Sequence, residues 1–369
     1  MFKRDNVLDI NIKNYNLDAK DHAYVEKLSQ IESTDAKQFL DVGIDIDENA
    51  RIGTFIQKDK SVIHCKTRQD GVEVMSISQA REKHAWLSDY MWKNISPDTD
   101  KFILQAKKNS HEGYFIHALA GVKAKDPIQS CLYIAEEGFS QNVHNIVVAE
   151  QGSELHIITG CATAPHLKSG LHIGVSEFYV KRGAKLTFTM IHDWGEKINV
   201  RPRTVIRVEE GGTIISNYIS LKPVGSLQMF PTTYLNGKGA VLNAPDTRAE
   251  IISRGISSGG SIIARGELVG KVSGIKAHLE CHGLILNDGL MQAIPEIIGY
   301  VPGVEMSHEA AVGKIDQREI EYLMARGLDE EEAISTIVRG FLNVNIEGLP
   351  ADLKKRLDET ISETQKEMM

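Results

Sequence analysis

Residues 145–190 read NIVVAEQGSELHIITGCATAPHLKSGLHIGVSEFYVKRGAKLTFTM. Four short runs stand out: NIVVAE, ELHIITG, LHIGVSEFYV and KLTFTM. Apolar and polar residues alternate within them, so each has one face to bury and one to leave outside. Glycine-bearing turns, EQGSEL and KRGAKL, precede two of the runs. The same texture spreads outward over residues 113–301. Upstream lie YFIHAL and QSCLYIA; downstream lie TVIRVEE, TIISNYISL, AVLNA, AEIISRG, SIIARGELVG and IKAHLE, with further turns EEGGTI, NGKGAV and SSGGSI. The turn glycines recur roughly every twenty to thirty residues, the scale of a solenoid, propeller or array. No helix-length segment interrupts the runs, which argues against a βαβ sheet. A mainly β chain follows. A β-solenoid fits best, because each coil buries its apolar face on the next; a sandwich stays open on this pattern alone.

The flanks differ. Residues 18–31 place Ala23, Val25, Leu28 and Ile31 near helical spacing and predict a helix. IGTFIQ and SVIHC predict two strands between residues 51 and 74. Residues 78–95 lack Gly and Pro and predict one long helix ended by Ser96-Pro97, with Trp86 and Trp92 packing it onto the body. At the other end, Asp316 and Glu319 form a pair resembling a capping box ahead of Ile320, Leu323 and Met324, and Gly327 supplies a stop. Asp329 and Glu332 repeat the device ahead of a stripe of Ala333, Ile334, Ile337, Val338 and Phe341. Residues 351–369 predict a third helix. These stripes serve either to dock the helices on the β region or to meet a partner.

With 369 residues the chain is long enough for a large core or for two to three domains. A formal net charge of −8 argues against a general nucleic-acid binder. No apolar run of about 18 residues predicts a membrane span, and no charged-then-apolar leader follows Met1. A cytoplasmic, reducing setting is the expectation. There the four cysteines, Cys65, Cys131, Cys161 and Cys281, with no CxxC among them, are free, metal-bound or reactive. GxxxxGK[ST] is missing; residues 266–272, GELVGKV, have the wrong spacing and no hydroxyl after the lysine, so the chain is not expected to hydrolyse ATP by that route. HExxH and GxGxxG are missing too.

Residues 278–313 carry the densest chemistry: HLECHGLILNDGLMQAIPEIIGYVPGVEMSHEAAVG. Cys281 and His282 open the segment, and His308 and Glu309 close it. Thiolate, imidazole and carboxylate together suit a transition metal such as iron or zinc. The spacing fits neither a zinc finger nor a ferredoxin loop. From these donors and their spacing alone, a buried cysteine with surface histidines and a solvated glutamate is the favoured reading.

Three blocks carry a resemblance. Residues 111–130 (HEGYFIHALAGVKAKDPIQS), residues 145–165 with the LHIGVSEFYVKRGAKLTF that follows, and residues 306–333 (MSHEAAVGKIDQREIEYLMARGLDEEEA) are together similar to the SufB/SufD family of iron–sulfur cluster assembly proteins. The Gly-Cys pair ahead of Thr-Ala-Pro resembles SufB in particular. The resemblance spans about residues 110–345 and implies a right-handed parallel β-helix flanked by helical ends. The implied division is residues 1–110 as a mixed helical region, 111–313 as the β-helix core and 314–369 as a helical ATPase-binding region.

The resemblance also implies roles. Cys161 accepts incoming sulfur, His172 lies along a sulfur path, and Cys281 is the last acceptor or a cluster ligand. His308 and Glu309 match the family's histidine–glutamate pair, and His282 is an extra ligand candidate. Ile320, Leu323, Met324, Ile334, Ile337, Val338 and Phe341 face a SufC-like ABC ATPase. Iron and a transient iron–sulfur cluster are the implied cargo, a sulfur donor and apo iron–sulfur proteins the implied partners, and ATP hydrolysis belongs to the ATPase rather than to this chain. Mixed ligation suits a scaffold, because a finished cluster must leave. The bacterial assembly splits these residues between two chains. Here one short chain carries them, which implies a homodimer with ligand sets meeting at a twofold axis. Two alternatives are a non-catalytic adaptor that stabilises the ATPase or passes on a preformed cluster, and a β-helix enzyme acting on polysaccharide.

Overall fold

Alternating runs closed by tight turns produce a coil that repeats, and the computed structural model, which describes residues 10–45, 51–222, 224–236, 247–342 and 355, is a β-solenoid of about 6 turns with helices at both ends. In chain order the elements begin with α1 (Ser33–Asp41), β1 (Gly53–Lys58), β2 (Ser61–Thr67), β3 (Val72–Ser76), α2 (Ile77–Lys83) and α3 (Lys101–Lys108). The coils then run through β4 (Tyr114–Ala118), β5 (Ile128–Ile134), β6 (Ser140–Ala149), β7 (Glu154–Thr163), β8 (Gly170–Val180), β9 (Lys185–Asp193), β10 (Ile198–Val200), β11 (Arg203–Val208), β12 (Thr213–Ser220) and β13 (Ser226–Leu235). They finish with β14 (Arg248–Ser258), β15 (Ser261–Gly270), β16 (Lys276–Leu286), β17 (Leu290–Gly299) and β18 (Glu305–Lys314), before α4 (Gln317–Met324) and α5 (Glu330–Leu342).

Each coil gives a strand to each of two sheets. One runs β18-β16-β14-β12-β9-β7-β5-β1-β2, the other β17-β15-β13-β10-β8-β6-β4-β3. Pairing along the coils is parallel and in register: Glu154 lies opposite Lys185, and Lys185 opposite Thr213. At one corner the chain reverses through Gly183, held at φ +63, a left-handed conformation that glycine takes without a Cβ clash. Two prolines sit inside strands. Pro231 of β13 falls where the β13–β15 register skips two residues, and Pro295 of β17 lies on an edge strand, so neither removes a needed ladder donor.

Burial follows what covers each sheet. The outer face of the second sheet is roofed near its start: Ile95, Phe102, Ile103 and Ala106 pack on Leu171, Ile173 and Val175, while Ile77, Ala80 and Leu87 pack on Phe115, Ile146 and Val148. Every residue of β6 and β8 is therefore buried. Toward the other end the roof stops. The first-sheet strand β16 alternates, and β18 is exposed along nearly its whole length. The solenoid thus ends, among the described residues, on two edge strands.

Three expectations about the flanks change. Residues 18–31 are not helical: Val25 N–H donates to Ile63 O, His22 N–H donates to Ser61 Oγ, and only Leu28–Gln30 makes a 3-10 turn. Tertiary pairing with β2 overrides the local helical preference. The long helix expected over residues 78–95 stops at Lys83, and a 3-10 turn, Ala85–Asp89, follows. It cannot continue, because the backbone N–H groups of Trp92 and Asn94 turn onto the carboxylate of Glu177, with Trp92 at φ +58. Helix α3 had no place in the reading, although Asp100 Oδ1 caps it by accepting from Phe102 N–H at 2.9 Å and Ile103 N–H at 2.8 Å. The run AVLNA and the third C-terminal helix, apart from Lys355, lie outside the described residues. No described helix is long and apolar enough to cross a membrane.

Candidate functional site

The two ends of the 278–313 segment fall on adjacent strands. Strand β18 lies beside β16 in a register that sets His308 level with Leu279, Glu309 with Glu280, and Cys281 with Ala310. Because side chains alternate along a strand, Cys281 and His282 point opposite ways. Cys281, 2% exposed, faces the solenoid interior and lines a small cavity of about 40 Å³ with Tyr218, Asn217, Ser253 and Leu279. Burial lifts its thiol above the ordinary value, while the Ser253 hydroxyl beside it works the other way.

His282 faces outward. Its Nε2 lies 3.6 Å from Glu280 Oε1 and 3.5 Å from Glu309 Oε1. Glu280 also receives Arg254 Nη2 at 2.9 Å, and Arg254 Nη1 donates to Phe341 O at 3.1 Å. His308 is exposed and stands apart from that group. The structure thus joins His282 to Glu309, through Glu280, and places Cys281 across the sheet from both. Among the described residues, no three His, Cys, Asp or Glu side chains are gathered as they stand to hold a metal ion.

Cys161 sits deep in the core, with its thiol pushed well up by burial. The reason for the Gly-Cys pair is visible. A Cβ at Gly160 would meet Val42 Cγ2 at 2.5 Å and Val42 O at 2.8 Å, since residues 42–44 cross directly over β7. Position 160 must be bare on that face, and Cys161 points to the other.

Opposite Cys161 on β9 lies His192, whose Nδ1 is 2.5 Å from Tyr218 OH. The His192 ring packs against Trp194, and Trp194 against His172, whose Nδ1 pairs with Gln141 Oε1 at 2.9 Å. Desolvation holds both histidines neutral, pushing His172 down to about 3. Tyr218 lines the cavity that Cys281 also lines. A row of neutral buried groups therefore extends from Cys161 toward Cys281. His192, Tyr218, Glu280 and Arg254 were missed in the sequence. Only Glu280 had a signal there, since it stands two residues from His282 and so on the same face of a strand.

The expected ATPase-facing residues divide. Ile320 and Val338 are buried, and Ile334 and Phe341 pack on the solenoid core beside β14. Leu323 and Ile337 are half-buried, and Met324 is exposed next to the exposed Tyr322. Much of the apolar stripe of α5 is thus spent on seating the helix.

The family model for the SUF system FeS cluster assembly SufBD core domain matches residues 132–244 and 239–341. An iron–sulfur cluster assembly SufBD family protein of Archaeoglobus fulgidus is 47% identical, over 91% of this chain and 96% of that protein. One from Methanothermobacter thermautotrophicus is 43% identical, over 93% of this chain and 92% of its own length. The iron–sulfur cluster assembly protein SufB of Bacillus subtilis is 27% identical over 84% of this chain and 73% of its own length.

Proposed function

Because this chain belongs to the SufBD family of iron–sulfur cluster assembly proteins, we propose that it is a scaffold on which iron and sulfide are joined at the terminal coils of the solenoid and from which the cluster passes to apoproteins. The supporting observation is the position of the donors. Cys281 lies one strand in from the exposed edge strand β18, and Glu309 and His308 lie on that edge. An unpaired edge is a template for a second copy. A twofold pairing there would bring two sets of Cys281, His282, His308 and Glu309 together, giving the homodimer that a single chain carrying all of them requires.

Sulfur would enter at Cys161 from a donor and reach Cys281 along the row containing His192, Tyr218 and the cavity, with His172 behind Trp194. A persulfide travels by attack of a thiolate on its outer sulfur, with the donor cysteine leaving as thiolate, and release of that sulfur as sulfide at Cys281 takes two electrons from an external reductant. Both thiols are protonated and enclosed in this arrangement, so transfer needs the solenoid to open. A SufC-like ATPase docked on α4 and α5 would supply that motion and would hydrolyse the ATP. The low exposure of Cys281 equally favours the adaptor reading, in which the chain steadies the ATPase or hands on a cluster made elsewhere.

Anaerobic reconstitution of the chain with the ATPase, iron and sulfide separates the two. A scaffold takes up iron and sulfide in stoichiometric amounts, and Cys281→Ala loses that uptake. Undiminished uptake by Cys281→Ala overturns the ligand assignment.

A further inference from the structure

We propose that helix α5 gates a divalent-cation site formed by Glu280, His282 and Glu309 on the outer face of the last coils, with Arg254 as the latch. The inference builds on the reading of His282 and Glu309 as ligands, but needs neither an ATPase nor a cluster.

Consider first the donors. His282 Nε2 is buried and makes no hydrogen bond, yet it stands 3.5 and 3.6 Å from oxygens of two carboxylates. A cation bonded at about 2.1 Å to three such atoms sets them roughly 3.0–3.4 Å apart. The imidazole is thus a small contraction from sharing a cation with either carboxylate, and Glu280 and Glu309 lie level on adjacent strands. Imidazole with two carboxylates and no thiolate suits a labile divalent ion such as iron(II). Glu309 is largely exposed, which gives an ion a path from solvent.

What holds the set open is Arg254. Its Nη2 donates to Glu280 Oε1, the same oxygen that faces His282. A cation on that oxygen would meet the guanidinium as a like charge. Arg254 keeps its place through its other arm, Nη1 to Phe341 O in the last turn of α5. A guanidinium donating to a backbone carbonyl is a charge-assisted hydrogen bond, so this is a natural anchor. That carbonyl is in position only while α5 is seated by Val338, Ile334 and Phe341. Lifting α5 removes one of the two restraints on Arg254, frees Glu280, and completes the cation site. A movement of the tail is converted into a change of metal affinity at the solenoid end. Arg254 is a positioning residue in this scheme.

The test uses the full chain alone, titrated anaerobically with Co2+ and followed by its absorption, together with hydrogen exchange of residues 330–341. Arg254→Gln is expected to tighten Co2+ binding about tenfold and to speed exchange in α5. Adding Glu280→Gln to that variant is expected to remove the gain and leave α5 exchange fast. A purely structural arginine would move the exchange and not the affinity. No gain in affinity on Arg254→Gln, or a gain that survives Glu280→Gln, overturns the proposal. Should Arg254→Gln fail to fold, Arg254→Lys keeps the charge and loses the two-armed grip; a gain that depends on Glu280 supports the latch there, and its absence overturns it. Cluster uptake is not measured, so this result and the scaffold result fail independently.

Discussion

At Gly160 a single hydrogen atom decides the local packing. Gly160→Ala would drive a methyl into Val42, and overpacking of this kind costs about 1–3 kcal/mol. Urea denaturation should show that loss, with limited proteolysis rising first in residues 33–45. Cys161, beside it, owes its inertness to the same burial. Cys131, Cys161 and Cys281 are buried with raised thiols. All three should resist iodoacetamide at pH 8 in the folded chain and react once urea is added, as mass spectrometry can follow. Rapid native labelling of Cys281 would instead mean that the interior opens unaided. His172 carries a pH signature. Its folded value of about 3 lies below an unfolded value near 6.5, so the unfolded chain binds the extra proton between those limits. The stability it contributes is complete above pH 6.5 and falls as the pH drops toward 3, by on the order of 1 kcal/mol per pH unit. His192 is shifted the same way. The melting temperature should therefore fall between pH 7 and pH 4, and His172→Gln should flatten that dependence.

Elements of this chain were legible where local and tertiary preferences agreed. The runs in residues 145–190 became β6 to β9 because alternation, turns and stacking all favour the same conformation. Residues 18–31 had helical spacing, but β2 offered hydrogen bonds to the extended chain. The segment after α2 shows the same conflict resolved by a charge. Glu177, fully buried, accepts from Trp92 N–H and Asn94 N–H and pairs with His144 Nε2 at 2.9 Å, under the Trp92 ring stacked on His144. No periodicity announces a carboxylate more than eighty residues away. Glu177→Ala would take the acceptor from those donors, at a cost of about 1–3 kcal/mol for each one left unsatisfied, and should expose residues 84–95 to protease. Retained protection of that stretch would show that the apolar contacts of Trp86 and Leu87 hold it without the charge.

The whole molecule is asymmetric along its axis. One end is closed by the β1–β2 hairpin and by β3, which pairs antiparallel to β4; the other ends in β17 and β18. If β18 pairs with a second copy, Val312→Lys on that exposed edge should shift a dimer to the 40.9 kDa monomer in light scattering. A dimer that persists would place the contact elsewhere. The amino-acid sequence by itself determined the repeating coil, the two capped C-terminal helices and the family, because these rest on period, turn residues and contiguous blocks. It also held, in the adjacency of Cys281 and His282, the fact that the two side chains face opposite ways. Only the tertiary structure decided which side was interior, which strand became the open edge, and that Glu280 and Arg254 stand between the helical tail and Glu309. Those depend on what covers each sheet face and on pairings between residues far apart in the chain, and neither leaves a period in the sequence.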